Sequence, residues 1–481
     1  MCNTTKGDGQ GSESLTLENI RRNVIGLDVE VPLLNGSMRR YVNFDNAAST
    51  PPLRPVFDIV NDFAHWYSSV HRGTGLKSQV STSLYEQAHQ IVCDFVGADP
   101  QADTVIFVKN STEALNKLAR RISFSSSDVV LTTTMEHHSN DLPWRSVAQV
   151  EHVRIDERGA LDIAHLDALL DQHADAVRLV AVTGASNVTG FVNPIHEIAE
   201  KAHNVGAEIV VDAAQLAPHR PIQMHVGDEA QRIDYLVLSA HKMYAPYGSG
   251  ALVGRRSTFA HGEPDQVGGG TVDIVTLDRV EWAQLPEREE AGSPNVIGAV
   301  AMAQSMLCLQ QLGMDTLAQH ETGLTAYMLE KLTSVEGVHV YGITDPERAG
   351  EKVGVVSFSV EDMSHYLVAA ILSCEGGIGV RNGCFCAHPY LLELICVPPE
   401  EARAYQKDIR RGIKARTPGL VRASFGCYND ESEVDWFIEI LQQVVRGEYE
   451  GEYVQDPATG EFWPSSYQVN PETYFGFQHA S

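Results

Sequence analysis

Lys242 stands in Ser239-Ala240-His241-Lys242-Met243-Tyr244-Ala245-Pro246-Tyr247-Gly248, directly after the apolar run 233–238 and before a Gly/Pro-rich turn. Such a run reads as a buried strand, which puts the amine at the carboxyl end of a strand, where α/β proteins bind ligands. Burial disfavours the ammonium form, and a neutral amine can form a Schiff base with a carbonyl. A lone lysine there is equally served by a solvated place beside a loop. Lys242 does not stand alone. Thirty residues upstream, a second apolar run ends in a carboxylate within Val210-Val211-Asp212-Ala213-Ala214-Gln215. A Schiff-base lysine with an aspartate for a pyridinium nitrogen is the protein side of a pyridoxal phosphate site.

Other polar residues fall at the ends of further apolar runs. Asn110-Ser111-Thr112-Glu113 follows one run and opens a helical stretch. Hydroxyls and free N–H groups at a helix start suit a phosphate, and Ser111 or Thr112 would serve equally as a plain N-cap. Glu136-His137-His138-Ser139-Asn140 places an imidazole where it could stack on a flat ring or simply pack. Ser186-Asn187-Val188-Thr189-Gly190 offers the Asn187 amide as a donor to a ring oxygen.

These positions require a sheet whose strand ends converge. Candidate strands lie at 104–108, 129–133, 177–183, 207–211, 233–238 and 251–254, with helices at 112–121 and 194–205 between them. An amphipathic helix at 79–96 precedes them, with Leu84, Ala88, Ile91, Val92 and Phe95 on one face. Alternation of this kind predicts a mostly parallel sheet covered by helices on both faces. Beyond Gly292 the pattern changes to long helices at 296–312 and 317–333. A smaller α+β part follows, with strands near 353–360 and 379–381 and a last helix at 432–445. The expected division is a large unit over 36–309, a small one over 1–35 and 310–446, and an extension over 447–481. Tyr467, Tyr474, Phe475 and Phe477 predict that the extension docks on the body.

At 481 residues the chain exceeds one ordinary core. Its net charge of −27 disfavours nucleic acid and anionic membranes as partners. The first 14 residues lack an apolar core, so no secretory signal is expected, and no run of 18 apolar residues predicts a membrane span. The eight cysteines (Cys2, Cys93, Cys308, Cys374, Cys384, Cys386, Cys396 and Cys427) are scattered without a CxxC pair. That pattern points to a reducing, cytoplasmic setting. Cys384, Cys386 and His388 make at most a cramped partial zinc set, so no metal is expected.

The segments 45–50, 70–73, 111–113, 135–140, 186–190, 212–215, 239–244, 290–295, 381–387 and 422–424 occur in an order that resembles the class V aminotransferases, a fold-type I pyridoxal phosphate family. Within it the chain is most similar to the group II cysteine desulfurases and selenocysteine lyases. The resemblance covers roughly residues 40 to 445, and it implies an α/β fold with a mostly parallel, seven-stranded sheet in the large domain beside a smaller α+β domain. It implies Lys242 as the Schiff-base lysine and mover of the substrate Cα proton, Asp212 at the pyridine nitrogen, Gln215 at the phenolic oxygen and His137 on the ring face. Thr112, Ser239 and His241, with Ser111 beside them, would hold the phosphate. Ser293 would complete the phosphate site of a second subunit, which implies a homodimer. Arg422 would pair with the substrate carboxylate through two parallel donors, assisted by Asn187, Arg381 and His71.

In Arg381-Asn382-Gly383-Cys384-Phe385-Cys386-Ala387-His388, Cys386 falls where that family carries its nucleophile. A thiolate there would take sulfur from L-cysteine, or selenium from selenocysteine, as a persulfide and pass it to a sulfur-acceptor protein. Arg381 and His388 are its candidate activators. The alternative is another activity on the same scaffold: an epimerase, another carbon–sulfur lyase or an aminotransferase. Three features depart from the family pattern, one of them the tail 447–481, which exceeds the family core. Cys384 replaces a frequent histidine, and 397–420 is longer than usual and is expected to form a helix near the mouth of the site.

Overall fold

The computed structural model describes residues 14–466 and 469–477, so Cys2 and Tyr467 lie outside the described residues. Seven strands form the central sheet: β1 (Asp103–Val108), β2 (Val129–Thr133), β3 (Gln149–Val153), β4 (Val177–Thr183), β5 (Glu208–Asp212), β6 (Tyr235–Ser239) and β7 (Gly250–Arg255). Their order is β1-β7-β6-β5-β4-β2-β3. Only β7 runs against its neighbours β1 and β6, and the remaining pairs are parallel. The expected mostly parallel, seven-stranded sheet is present. Fully buried runs such as Tyr235–Ser239 signal their strands plainly. β3 does not, because it is an edge strand whose alternate residues face solvent, leaving no apolar run to see.

Helices cover both faces. α1 (Leu76–Phe95) buries Tyr85, Ala88, Val92 and Phe95, and α2 (Ser111–Arg121) follows β1. α3 (Val296–Leu312) is apolar on nearly every side and is enclosed by protein, in contact with α1. No single helix among the described residues is long and apolar enough to cross a membrane.

After α4 (Met314–Thr333) a second sheet forms from β8 (Val338–Tyr341), β9 (Val355–Val360), β10 (Arg381–Gly383) and β11 (Leu420–Ser424), in the order β8-β9-β11-β10. The expected strand at 379–381 is two pieces. Ile378–Gly379 pairs in parallel with Val42–Asn43, and β10 pairs with β11 so that Arg381 faces Arg422. Between β10 and β11 the chain makes α5 (His388–Leu394) and α6 (Pro399–Arg410). α7 (Glu431–Val445) opens on a full capping box from Asp430 and Glu433. The tail hairpin Tyr453–Gln455/Phe462–Pro464 is tied down where the Tyr453 hydroxyl donates to Glu375 at 2.9 Å. The aromatic end is not docked: Tyr474, Phe475 and Phe477 are 58%, 90% and 101% exposed. Aromatic content favours burial only where a complementary groove exists, and among the described residues none receives these three.

Phe44 joins the early chain to the second sheet. It is fully buried, edge-on to Phe425 at 5.4 Å and Phe437 at 5.8 Å. Phe44→Ala is expected to lose about 3–5 kcal/mol of stability, read from the urea midpoint, since a large buried ring leaves an unfilled cavity.

Candidate active site

A cavity of about 470 Å³ opens at the carboxyl ends of β2, β4, β5 and β6 and the start of α2. Parallel strands deliver their following loops to one edge, which brings Thr112, His137, Asn187, Asp212 and Lys242 together although up to 130 residues separate them. The second sheet closes the far side with Arg381, Asn382, Phe385, Cys386 and Arg422.

β5 ends on Asp212, which is buried and accepts a hydrogen bond from the Ala214 amide at 3.0 Å. One turn of 3₁₀ helix after β6 presents Lys242. Burial holds the Lys242 amine down to about 8, although Asp212 pulls it upward. Burial in turn raises the Asp212 carboxyl, with the Ala214 amide and Lys242 acting against that rise. His137 is held at about 3 by burial and by the neighbouring Lys242, His138 and Arg422, so its ring is neutral at ordinary pH. Burial and Lys242 hold His241 at about 4.

The α2 N-cap is Asn110, whose side chain accepts from the Glu113 amide at 3.0 Å. Ser111 and Thr112 are therefore not the cap. Ser239 Oγ accepts from the Ser111 amide at 2.9 Å and donates to Ser111 Oγ at 3.0 Å. Thr112 Oγ1 lies 2.7 Å from Ser139 Oγ, which lies 2.9 Å from His137 Nδ1. These hydroxyls at a helix start form a cradle suited to an anion. Gln215 Nε2 donates to the Ala47 carbonyl at 2.7 Å, while its buried Oε1 has no partner.

Arg422, on β11, is 2% exposed. Its Nη1 donates to the Asn187 carbonyl at 2.8 Å, its Nη2 lies 3.3 Å from Asp45, and its buried Nε has no partner. Desolvation holds its guanidinium at about 10, against the support of Asp45. Asp45 also pairs with Arg381 at 2.9 Å.

Cys386 is exposed on a turn whose other members, Cys384, Phe385 and Ala387, are buried. Phe385 and Cys386 both adopt left-handed backbone, φ 52° and 56°, a conformation that non-glycine residues hold only when surroundings enforce it. Three bonds do so. Asn187 Nδ2 donates to the Phe385 carbonyl at 2.6 Å, the His138 amide to the Cys386 carbonyl at 2.8 Å, and Cys384 Sγ to the Pro418 carbonyl at 3.0 Å. Cys386 lines the cavity together with the cationic side chains of Lys242, Arg381 and Arg422. The anticipated activators are engaged elsewhere, Arg381 with Asp45 and His388 Nδ1 with His138 Nε2 at 3.0 Å. Cys384 is a poor thiolate, pushed up to about 12 by burial and by Cys386.

Two anticipated residues lie outside this cavity. His71 pairs with Glu287 at 3.3 Å, and Ser293 is an exposed residue lining a separate cleft with Lys117 and Glu289. Asp45, Ser139 and Glu136 carry the site without having been singled out in the sequence. Glu136 is buried and accepts from Thr133, Thr183 and Asn140, which ties the ends of β2 and β4 beside His137. A carboxylate immediately after a buried strand was the available signal.

The sequence model of Aminotransferase class-V matches residues 42–437. The chain belongs to that family. A cysteine desulfurase of Haloferax volcanii is 34% identical over 409 residues, 83% of this chain and 88% of the relative. A probable cysteine desulfurase of Pyrococcus abyssi is 33% identical over 414 residues, 84% of this chain and 94% of the relative. The apo structure of a cysteine desulfurase from Thermococcus onnurineus superposes with a TM-score of 0.76 at 32% identity, covering 89% of this chain and 98% of that one. The fold of these class-V relatives is thus the fold of this chain.

An aldehyde reagent captured by Lys242 in cofactor-free protein, trapped with borohydride and located by peptide mass spectrometry, should report the depressed amine. Only the neutral amine reacts, so capture should rise as pH passes about 8; a rise near 10.5 would mean an ordinary lysine.

Proposed function

We propose that the protein is a pyridoxal phosphate-dependent cysteine desulfurase, which removes sulfur from L-cysteine, or selenium from selenocysteine, and leaves alanine and a persulfide on Cys386. The observation that carries the reading is one cavity holding Lys242, Asp212, Arg422 and the exposed thiol of Cys386. The naming of the relatives above as cysteine desulfurases favours this activity over epimerase, other lyase or aminotransferase chemistry on the same scaffold.

The residues present fit the cofactor. The unpartnered buried Gln215 Oε1 and Arg422 Nε belong to residues lining the cavity, and the hydroxyl cradle at α2 suits a phosphate. Asp212 would carry the pyridine nitrogen, Gln215 the phenolic oxygen and His137 the ring face, with Ser111, Thr112, Ser239 and His241 at the phosphate. When bound, pyridoxal phosphate supplies a sink for electrons released at the substrate Cα.

The chain's own residues do the rest. Arg422, fixed by Asp45 and Asn187, offers Nε to the substrate carboxylate. Lys242, with its amine near 8, can take the Cα proton and return it. Neutral His137 adds no charge that would compete with the substrate. Cys386 Sγ, drawn by Lys242 and Arg422, bonds to the substrate sulfur. The Cβ–S bond breaks with its electron pair on carbon, which takes a proton and leaves as alanine. In this reading residues 36–309 hold the cofactor, 1–35 with 310–446 carry the thiol, and 447–481 extend the body. The working form is a cytoplasmic homodimer in which Ser293 completes the partner's phosphate site, with a protein as the sulfur acceptor.

Purified enzyme given L-cysteine and a reductant should release sulfide and alanine in equal amounts. Cys386→Ser should still bind L-cysteine yet release no sulfide, since an alcohol cannot accept sulfur. Unchanged sulfide release from that variant would remove Cys386 as the sulfur acceptor. Asp212→Asn should cut turnover at least about a hundredfold while leaving the thermal unfolding midpoint near that of the native enzyme, because an amide cannot hold the ring-nitrogen proton.

A further inference from the structure

The segment between Cys396 and Leu420 plays no part in the chemistry above. α6 has no buried residue. From the start of α6 to residue 416 stand Arg403, Lys407, Arg410, Arg411, Lys414 and Arg416, against the acidic Glu400, Glu401 and Asp408. All six cations are exposed, and none forms an ion pair among the described residues. The protein as a whole carries a net charge of −27 with only 36 lysines and arginines, so a local excess of this size runs against its composition. Ile409 and Ile413 stand exposed, each about 40%, in the middle of the charges.

Both ends of the segment are fastened to the turn that carries Cys386. Its entry is α5, which begins two residues after Cys386. On its return, the Thr417 carbonyl lies 3.0 Å from His365 Nε2 and Pro418 accepts the Cys384 thiol. Leu420 then pairs with Gly383. The outer end is braced against the tail, where the Lys414 amide donates to Pro457 and Gln455 to the Ala415 carbonyl at 2.9 Å each. The segment that carries the basic surface is thereby anchored, at its return, to residues two and three positions before the exposed thiol.

We infer that α6 and residues 411–416 form a docking surface for an acidic protein that brings a thiol to Cys386. This rests on the desulfurase reading and names the kind of acceptor it serves. Complementary charge speeds encounter and fixes orientation, and the two exposed isoleucines give the contact an apolar centre. Those isoleucines favour a protein over nucleic acid, whose backbone offers phosphates and no apolar face to match. The transfer is redox-neutral. The acceptor thiolate attacks the outer sulfur of the Cys386 persulfide, the S–S bond to Cys386 breaks, and Cys386 leaves as thiolate. The acceptor's thiol proton passes to solvent.

The test uses holoenzyme and a labelled poly-glutamate peptide carrying one cysteine, beside a serine-rich peptide with the same cysteine. With L-cysteine present, the acidic peptide should accept sulfur with a KM at least about tenfold below that of the serine-rich one, and added salt should erode the difference. Arg403→Gln, Lys407→Gln, Arg410→Gln and Arg411→Gln combined should raise the acidic peptide's KM about tenfold and leave the rate with dithiothreitol unchanged. Arg403→Lys, Arg410→Lys and Arg411→Lys combined, which keep the charge, should behave as native. Equal KM values for the two peptides, or for native enzyme and the glutamine variant, would overturn the proposal. So would a single-stranded oligonucleotide that binds the patch and displaces the peptide. Peptide binding by fluorescence anisotropy without L-cysteine separates the two claims. Patch-dependent binding with no sulfide release would sink the desulfurase reading and leave the docking surface standing.

Discussion

The constraint on which the rest depends is the placing of half-buried Lys242 near buried Asp212 at the carboxyl edge of the central sheet. A lone buried ammonium would be forced to neutrality, and a lone buried carboxylate to its acid form. Asp212 ends β5 and Lys242 stands in the turn after the adjacent β6; desolvation brings the amine down to about 8, Asp212 opposes a further fall, and Lys242 in turn opposes the rise of the Asp212 carboxyl. That arrangement needs β5 and β6 parallel and in register, which only a helix-covered sheet provides. The bordering His137 and His241 remain neutral for the same reason: water is excluded and positive charge is already present.

The second sheet depends on the first. Arg422 crosses from β11 to the Asn187 carbonyl, Asp45 ties it to Arg381, and the Asn187 side chain holds the Phe385 carbonyl. The left-handed pair Phe385 and Cys386 persists because those contacts leave the backbone no relaxed alternative. The strain has a use. It lifts one sulfur out of a turn whose neighbours are buried, within reach of two cations. Cys384, two residues away, is instead closed in and hydrogen-bonded, so near-identical sequence places yield a reactive thiol and an inert one.

Much of this was legible in the chain. Short-range patterns announce themselves: an apolar run ending in Asp212 or Ser239 names both a strand and what stands at its tip. The shift to long helices after Gly292 and the change of sheet that follows it were equally visible. What escaped depends on pairing across distance. Strand β3 hides because an edge strand need not be apolar, and β11 because its meaning lies in its neighbour β10. Asn110, not Ser111 or Thr112, caps α2, since the choice among three adjacent polar residues is made by backbone geometry. The bridging work of Asp45 could not be read from a residue some 380 positions from Arg422. Arg381 and His388 are near Cys386 in sequence, yet Arg381 pairs with Asp45 and His388 hydrogen-bonds His138, while the distant Lys242 and Arg422 line the same cavity as the thiol. The aromatic end of the tail looked like a docking element from composition, and no groove among the described residues receives it.

The central claim, that sulfur leaves L-cysteine for the one exposed thiol of the strained turn, has a direct test. Holoenzyme incubated briefly with L-cysteine and no reductant is quenched with an alkylating trap, digested and examined by mass spectrometry. The account predicts that the peptide containing Cys386 gains one sulfur atom, that Cys384 in the same peptide gains none, and that Lys242→Ala abolishes the gain. An unmodified Cys386 in enzyme that continues to release alanine, or the extra sulfur on Cys384, would contradict it.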